Sequence, residues 1–506
     1  MSAAATTFSE TAARELGSFR TKFFYGFGSI AFGAKNAGFN SLMMLYYNQI
    51  IGLSAQAVGL AIFIALIVDA IADPVVGHIS DNLHSRWGRR HPFMYLSAIP
   101  VGVSFFFLWV PPELSADGMF LYLIVMSIIV RIFITMFEIP NSAMIAEITT
   151  DYDQRTMLLS FRYFFGVLGG VVLGFVTYRY ILLPDNLHPV GQLNPAGYPL
   201  YGIVAGIVLT SVILITSIGL HRYIPYFRKP ETQRATLKET LGQITVSLSN
   251  PSFVVLMSAA LCGTLAIGIS GTLNIYFSTY FWGLSAKDIS LFQGVALASA
   301  VIGVLAATPL SKRFGKRQLG IALFIAFIFT SAVPITLRLI HFFPENGSPW
   351  LIPILLVDRL ISDSMGIVVL IMFGSMLTDV VEDNELKTRR RSEGLLFAAS
   401  AFVTKVISGG GHFVGGILLS MVAFPVKADP ATLDPQIMHN LAYVYMPTII
   451  LLFTAGMVLM SRYRITRESH MENLRKLEEA AVLSRAPVTV EAELTDGLPD
   501  PKPAAE

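Results

Sequence analysis

The chain has 506 residues, 54% of them hydrophobic and only 14% charged, with a net charge of +2 and one cysteine. So few charges leave too little polar surface to solvate a soluble globule of this length, and the near-zero balance gives no reason to expect a nucleic-acid partner. The single Cys262 excludes a disulfide framework and a cysteine-based metal site.

Residues 1–23 are polar and lack the apolar core of a cleavable signal, so they read as a cytoplasmic N-terminus and the first span itself directs insertion. Apolar runs of about twenty residues, enough to cross a hydrocarbon core of roughly 30 Å, then recur along the chain. They predict spans near 24–51, 56–80, 93–111, 119–146, 157–181 and 200–221. After a charged linker over 223–250 come spans near 252–282, 287–310, 318–341, 349–379, 394–423 and 440–461. The expected fold class is an all-α membrane protein, with twelve transmembrane helices in two six-helix bundles over 24–222 and 251–462. Residues 463–506 read as a cytoplasmic tail, a charged helical stretch followed by a Pro-rich acidic segment expected to be disordered.

Basic loops alternate with loops that carry almost no positive charge. Arg86, Arg89 and Arg90 share one loop, Arg228, Lys229, Arg234 and Lys238 a second, Lys312, Arg313, Lys316 and Arg317 a third, and Lys387, Arg389, Arg390 and Arg391 a fourth. The positive-inside rule therefore places both termini in the cytoplasm, in a multi-pass protein of the inner (plasma) membrane. An internal repeat supports two parallel halves. Gly52-Leu53-Ser54-Ala55 recurs as Gly283-Leu284-Ser285-Ala286, and Ser85-Arg86-Trp87-Gly88-Arg89-Arg90 as Lys312-Arg313-Phe314-Gly315-Lys316-Arg317. Such halves can rock about a site at their midplane interface.

Several charges sit where lipid or protein should surround them. Asp69 and Asp73 fall one turn apart on the second span. An ionised carboxylate at membrane depth costs about 2.5–3.5 kcal/mol on insertion scales, so each needs compensation. A bound Na+ or a shared proton would supply it, and pairing with an arginine at the end of the helix is the purely structural alternative. Arg131, Thr135 and Glu138 form one stripe on the fourth span, ahead of Pro140. Arg162 lies on the fifth span and Lys405 deep in the eleventh. These charges suggest an aqueous cavity in which Glu138 and Arg162 hold a polar solute, against the alternative of an ion-pair network that only fixes packing. His412, Asp358, Arg359 and Asp363 are weaker candidates, and the Gly169-Gly170 and Gly409-Gly410-Gly411 clusters read as close helix contacts.

The sequence resembles the glycoside-pentoside-hexuronide:cation symporters of the major facilitator superfamily over about residues 20–460. The resemblance rests on Asp69-Ala70-Ile71-Ala72-Asp73-Pro74 running on to Arg89, with support from Tyr25-Gly26-Phe27-Gly28, Glu138-Ile139-Pro140, Phe161-Arg162-Tyr163-Phe164-Phe165 and Asp379-Val380-Val381-Glu382 through Arg391-Ser392-Glu393-Gly394. It implies Asp69, Asp73 and Thr135 as cation ligands, Glu138 and Arg162 as substrate ligands, and Lys405 as the base linking the two sites. Asn36 stands where the sugar permeases carry an acid, Ser142 where they carry an aromatic, and both are taken as substrate-side candidates. Ala72 offers no oxygen between the two acids and Arg131 lies one turn from Thr135, which keeps H+ open beside Na+ as coupling ion. Asp81 with Arg86, Arg89 and Arg90 looks like the superfamily's cytoplasmic gate latch.

The expected function is cation:solute symport by alternating access, of a glycoside or other sugar-like solute, or else of a lysophospholipid-like amphiphile. A non-transporting sensor and a membrane-embedded enzyme rank lower, because no nucleophile motif and no interfacial metal spacing occurs and the tail is short for an output domain. The expected partners are a small-molecule solute, a monovalent cation and the bilayer, with no nucleic acid and no cofactor, and the chain is expected to act as a monomer.

Overall fold

The computed structural model describes residues 15–149, 151–227, 251–388, 393–463, 465, 471–473 and 475–476. The start of the N-terminal segment, most of the linker, Arg389 to Arg391 and most of the tail lie outside the described residues.

Among the described residues, twelve membrane helices follow one another. Helix α1 covers 19–51 in pieces, Phe19–Phe27, Ser29–Ala37 and Met43–Leu45, with wider π-helical turns at Gly38–Leu42 and Tyr46–Ile51. Then come α2 (Ala55–Asn82), α3 (His91–Leu108), α4 (Ala116–Ala143), α5 (Tyr152–Val176, extended by a π turn Thr177–Ile181) and α6 (Gly197–His221). The second half has α7 (Pro251–Tyr276, extended by Phe277–Phe281), α8 (Ala286–Phe314), α9 (Lys316–Leu339), α10 (Leu351–Thr388), α11 (Glu393–Met421) and α12 (Pro435–Ser461). Eleven of these are continuous and apolar enough to span by length and composition, and α1 is the interrupted one. Its break has a sequence cause: Gly28 and Gly38 and the polar residues Lys35, Asn36, Asn40 and Asn48 concentrate there. Each expected span falls on one helix. The largest difference is α10, which runs to Thr388 where the apolar stretch ends near 379.

The repeat is visible in backbone geometry. After the terminal π turns of α1 and α7, Gly52 and Gly283 take positive φ of 103° and 61°, a region where a side chain is strained. Ser54 and Ser285 then cap α2 and α8, each side chain accepting the N–H three residues on. Gly88 and Gly315, in the two matching basic loops, share φ of 73° and 76°.

Within the first half α1 packs on α5, α2 on α4 and α3 on α6; within the second, α8 packs on α10 and α7 on α11 and α12. The halves meet along α2 against α11 and α5 against α8. Small residues allow the close approaches. A Cβ on Gly33 would lie 1.9 Å from the Gly166 carbonyl oxygen, and one on Gly411 2.7 Å from the Gly268 Cα.

Candidate transport site

Helix α2 brings Asp69 and Asp73 to the seam with α11 and α4. The Thr135 hydroxyl lies 2.9 Å from Asp69 Oδ1 and 3.3 Å from Asp73 Oδ1. Arg131 Nη1 is 3.2 Å from Asp69 Oδ2. Lys405 Nζ is 2.5 Å from Asp73 Oδ2 and 3.2 Å from Asp69 Oδ2. The three residues read as cation ligands therefore do converge. The compensation the carboxylates require comes from Arg131 and Lys405 at the same depth, not from an arginine at the helix end. Phe39 fixes the guanidinium, its ring centroid 4.5 Å from Arg131 Cζ.

Three residues further along the α4 stripe, Glu138 reaches a second partner. Lys35 Nζ lies 3.2 Å from Glu138 Oε1, with both side chains largely buried. Sequence reasoning gave Lys35 no role, although an unexplained charge inside the first span is itself the signal. Asp69, Asp73 and Glu138 thus face Lys35, Arg131 and Lys405, a locally neutral set. Arg162 stands apart. It approaches the Tyr25 hydroxyl and has no carboxylate within ion-pair distance among the described residues.

A cavity of about 740 Å³ runs along α1 from Gly28 to Leu42, walled by α4, α5 and α6 and bordered on the second-half side by Gln293 of α8 and Leu370 of α10. This volume is within the usual range for a small-molecule site, roughly 300–1,000 Å³. Glu138, Arg162, Asn36 and Asn40 all line it. Ser142 does not: its hydroxyl donates to Ile139 O in the preceding turn at 2.9 Å, and its carbonyl accepts from Tyr25 at 3.3 Å. Its neighbour Asn141 faces the cavity instead, with Oδ1 buried and unpartnered, as is the hydroxyl of Tyr201. Aromatic rings reach the wall from other positions, as Phe32, Phe137 and Tyr163.

The wall residues Tyr163, in the half of α5 nearer the basic loops, and Leu370 are exposed, so the cavity is open on that side. At the opposite end the halves are sealed. Gln49 binds Pro425 O at 3.0 Å, the Tyr280 hydroxyl at 3.0 Å and the Ala428 N–H at 2.8 Å, and Gln192 Nε2 donates to Leu284 O at 2.9 Å.

The expected latch differs in composition and in reach. Arg90 pairs with Asp81 at 3.1 Å, and Arg89 and Arg90 both contact Glu147, at 2.6 and 3.3 Å. Arg86 is exposed, with no described partner, so Glu147 completes the cluster in its place. Among the described residues these contacts brace the end of α2, the loop before α3 and the segment after α4 inside one half and do not cross to the other. Lys316 and Asp379, 2.6 Å apart, form the matching brace in the second half. His412 is packed between α7 and α11 with Nδ1 2.7 Å from Thr272 Oγ1. Asp358, Arg359 and Asp363 are absent from the cavity wall.

The model of the MFS_2 family, described as MFS/sugar transport protein, matches residues 24–467. The chain belongs to that family. It is 23% identical to the putative glycoside/cation symporter YagG of Escherichia coli (strain K12), over 88% of this chain and 92% of that one. It is also 23% identical to the sodium-dependent lysophosphatidylcholine symporter 1 of Gallus gallus, over 92% of this chain and 90% of that protein. Among solved structures, the inward-open xylose transporter XylE from E. coli superposes with a TM-score of 0.58 at 15% identity, covering 91% of this chain and 99% of that one. These findings establish a multi-pass transporter of the major facilitator type whose relatives are named as cation symporters.

Proposed function

We propose that this chain carries a sugar-like solute in symport with a cation, by alternating access across an inner membrane. One observation carries the reading: the α4 stripe joins both sites, since Thr135 binds Asp69 and Asp73 while Glu138, one turn on, lines the cavity. A change in occupancy at the carboxylate pair is therefore felt at the solute wall through one rigid helix. Neutral hydrogen-bonding groups run the length of the cavity, from Ser29 through Asn36, Asn40 and Asn141 to Tyr201, and favour a polyhydroxylated solute. Phe32, Phe137 and Tyr163 offer the aromatic faces that sugar rings stack on. With the basic loops in the cytoplasm, the sealed end faces outward and the cavity faces in.

The oxygens of Asp69 and Asp73 already accept from Thr135, Arg131 and Lys405, a donor set that does not fit Na+. A proton needs only one vacated lone pair, so H+ is the coupling cation in this reading. The lysophospholipid-like alternative is favoured by one feature, the apolar strip of Leu159, Val167, Val171 and Leu370 along the same cavity. Uptake by proteoliposomes of a panel of labelled glycosides, one uronide and one lysophosphatidylcholine separates the two. Saturable accumulation of a glycoside supports the sugar reading, and accumulation of the lipid alone overturns it.

A further inference from the structure

We infer that Arg131 is the residue that makes this carrier blind to sodium: its guanidinium, together with the Lys405 ammonium, occupies the carboxylate pair as a resident cation. The inference rests on Asp69 and Asp73 being the coupling site and adds what decides their ion. Four carboxylate oxygens are on offer, and each is engaged. Asp69 Oδ1 and Asp73 Oδ1 share the Thr135 hydroxyl, at 2.9 and 3.3 Å. Asp69 Oδ2 has Arg131 and Lys405 each at 3.2 Å, and Asp73 Oδ2 has Lys405 at 2.5 Å. Hard cations gather about six or more oxygens, and Ala72, between the two acids, contributes no side-chain oxygen.

Charge points the same way as the count of oxygens. Two carboxylates face two positive groups, so the pair is already neutralised and a Na+ entering it would meet no net attraction. Like charges at contact repel strongly even at a protein-like dielectric, so the resident positive group matters more than any single ligand. Of the two basic residues, Lys405 is on α11 with its side chain 30% exposed, and can leave with the second half when the halves move. Arg131 cannot. It is 4% exposed, held under Phe39, and shares helix α4 with Thr135, inside the same half as the acids. It stays with the pair in either state of the transport cycle, and so sets the ion preference.

The test uses full-length protein purified in detergent and needs no solute, so its outcome is independent of whether the transport reading holds. Thermal unfolding is followed across a NaCl titration at constant ionic strength with choline chloride, for wild type, Arg131→Ala and Arg131→Lys, with ²²Na+ equilibrium binding in parallel. Wild type and Arg131→Lys are expected to show no Na+-specific stabilisation and no saturable binding. Arg131→Ala is expected to gain both, with Na+ affinity raised by at least about tenfold, the low end of what removing a like charge at contact predicts. Saturable Na+ binding by wild type overturns the inference even if the alanine variant does not fold. A folded Arg131→Ala protein that remains indifferent to Na+ overturns it equally.

Discussion

Lys405 Nζ lies 2.5 Å from Asp73 Oδ2, a bond that ties α11 of the second half to α2 of the first. It joins the two halves at the carboxylate pair, so the equilibrium between the two states of the carrier must act on it. Replacing Lys405 with Met leaves Asp73 facing Asp69 without its main counter-charge. Loss of one partner of a buried pair costs about 3–5 kcal/mol, whereas neutralising both costs much less. Thermal unfolding should therefore rank Lys405→Met well below the Lys405→Met/Asp73→Asn double variant. Equal stability of the two would mean that the pair contributes nothing.

Glu138 and Arg162 line one cavity and should respond differently to mutation. Glu138→Gln strands the buried Lys35 ammonium and is expected to lower stability by about 3–5 kcal/mol, recovered when Lys35→Met is added. Arg162→Ala removes a group with no ion-pair partner among the described residues and should leave unfolding nearly unchanged while abolishing solute binding. Isothermal titration beside a melting curve distinguishes the two patterns. A fully stable Glu138→Gln protein would show that Lys35 finds another partner.

Helix α1 and helix α5 touch backbone to backbone at Gly33. A Cβ there would meet the Gly166 oxygen at 1.9 Å and the Gly170 nitrogen at 2.6 Å. Gly33→Ala should cost about 3 kcal/mol or more, at the upper end for overpacking. Gly294→Ala, where nothing lies within 4 Å, should be neutral or slightly stabilising. Expression and melting temperature of the two variants check the contrast.

The open and sealed ends predict opposite cysteine reactivity. With Cys262 replaced by Ser, Tyr163→Cys should react with a membrane-impermeant maleimide in inside-out vesicles, because Tyr163 is exposed on the cavity wall. Gln49→Cys, at a position 4% exposed in the sealed end, should be protected from outside in right-side-out cells. The reverse pattern would place the basic loops on the wrong side.

Much of this was legible in the sequence because charges in apolar spans have few explanations. Asp69, Asp73 and Lys405 stood out by depth and helical spacing, Thr135 joined the acids only through the family resemblance, and the repeated Gly-Leu-Ser-Ala turns and basic loops were visible from local pattern alone. What could not be read was partnership. Spacing on α4 puts Arg131, Thr135 and Glu138 on one face, yet only the packing of α1 and α11 shows that Lys35 takes Glu138 and that Arg131 and Lys405 fill the acid pair. Ser142 and Asn141 illustrate the same limit. They are adjacent and both polar, and a helix turns about 100° between neighbours, so only one of them faces the solute.

The most direct test is proton movement in proteoliposomes that enclose a pH-sensitive dye, on addition of the glycoside giving the largest uptake, for wild type and Asp73→Asn. Coupling to one charge at 100 mV is worth about 2.3 kcal/mol, or up to roughly fifty-fold accumulation of a neutral solute. Wild type is expected to show solute-dependent proton entry and uphill accumulation, and Asp73→Asn to lose both. Undiminished gradient-driven accumulation by Asp73→Asn would contradict coupling through this carboxylate.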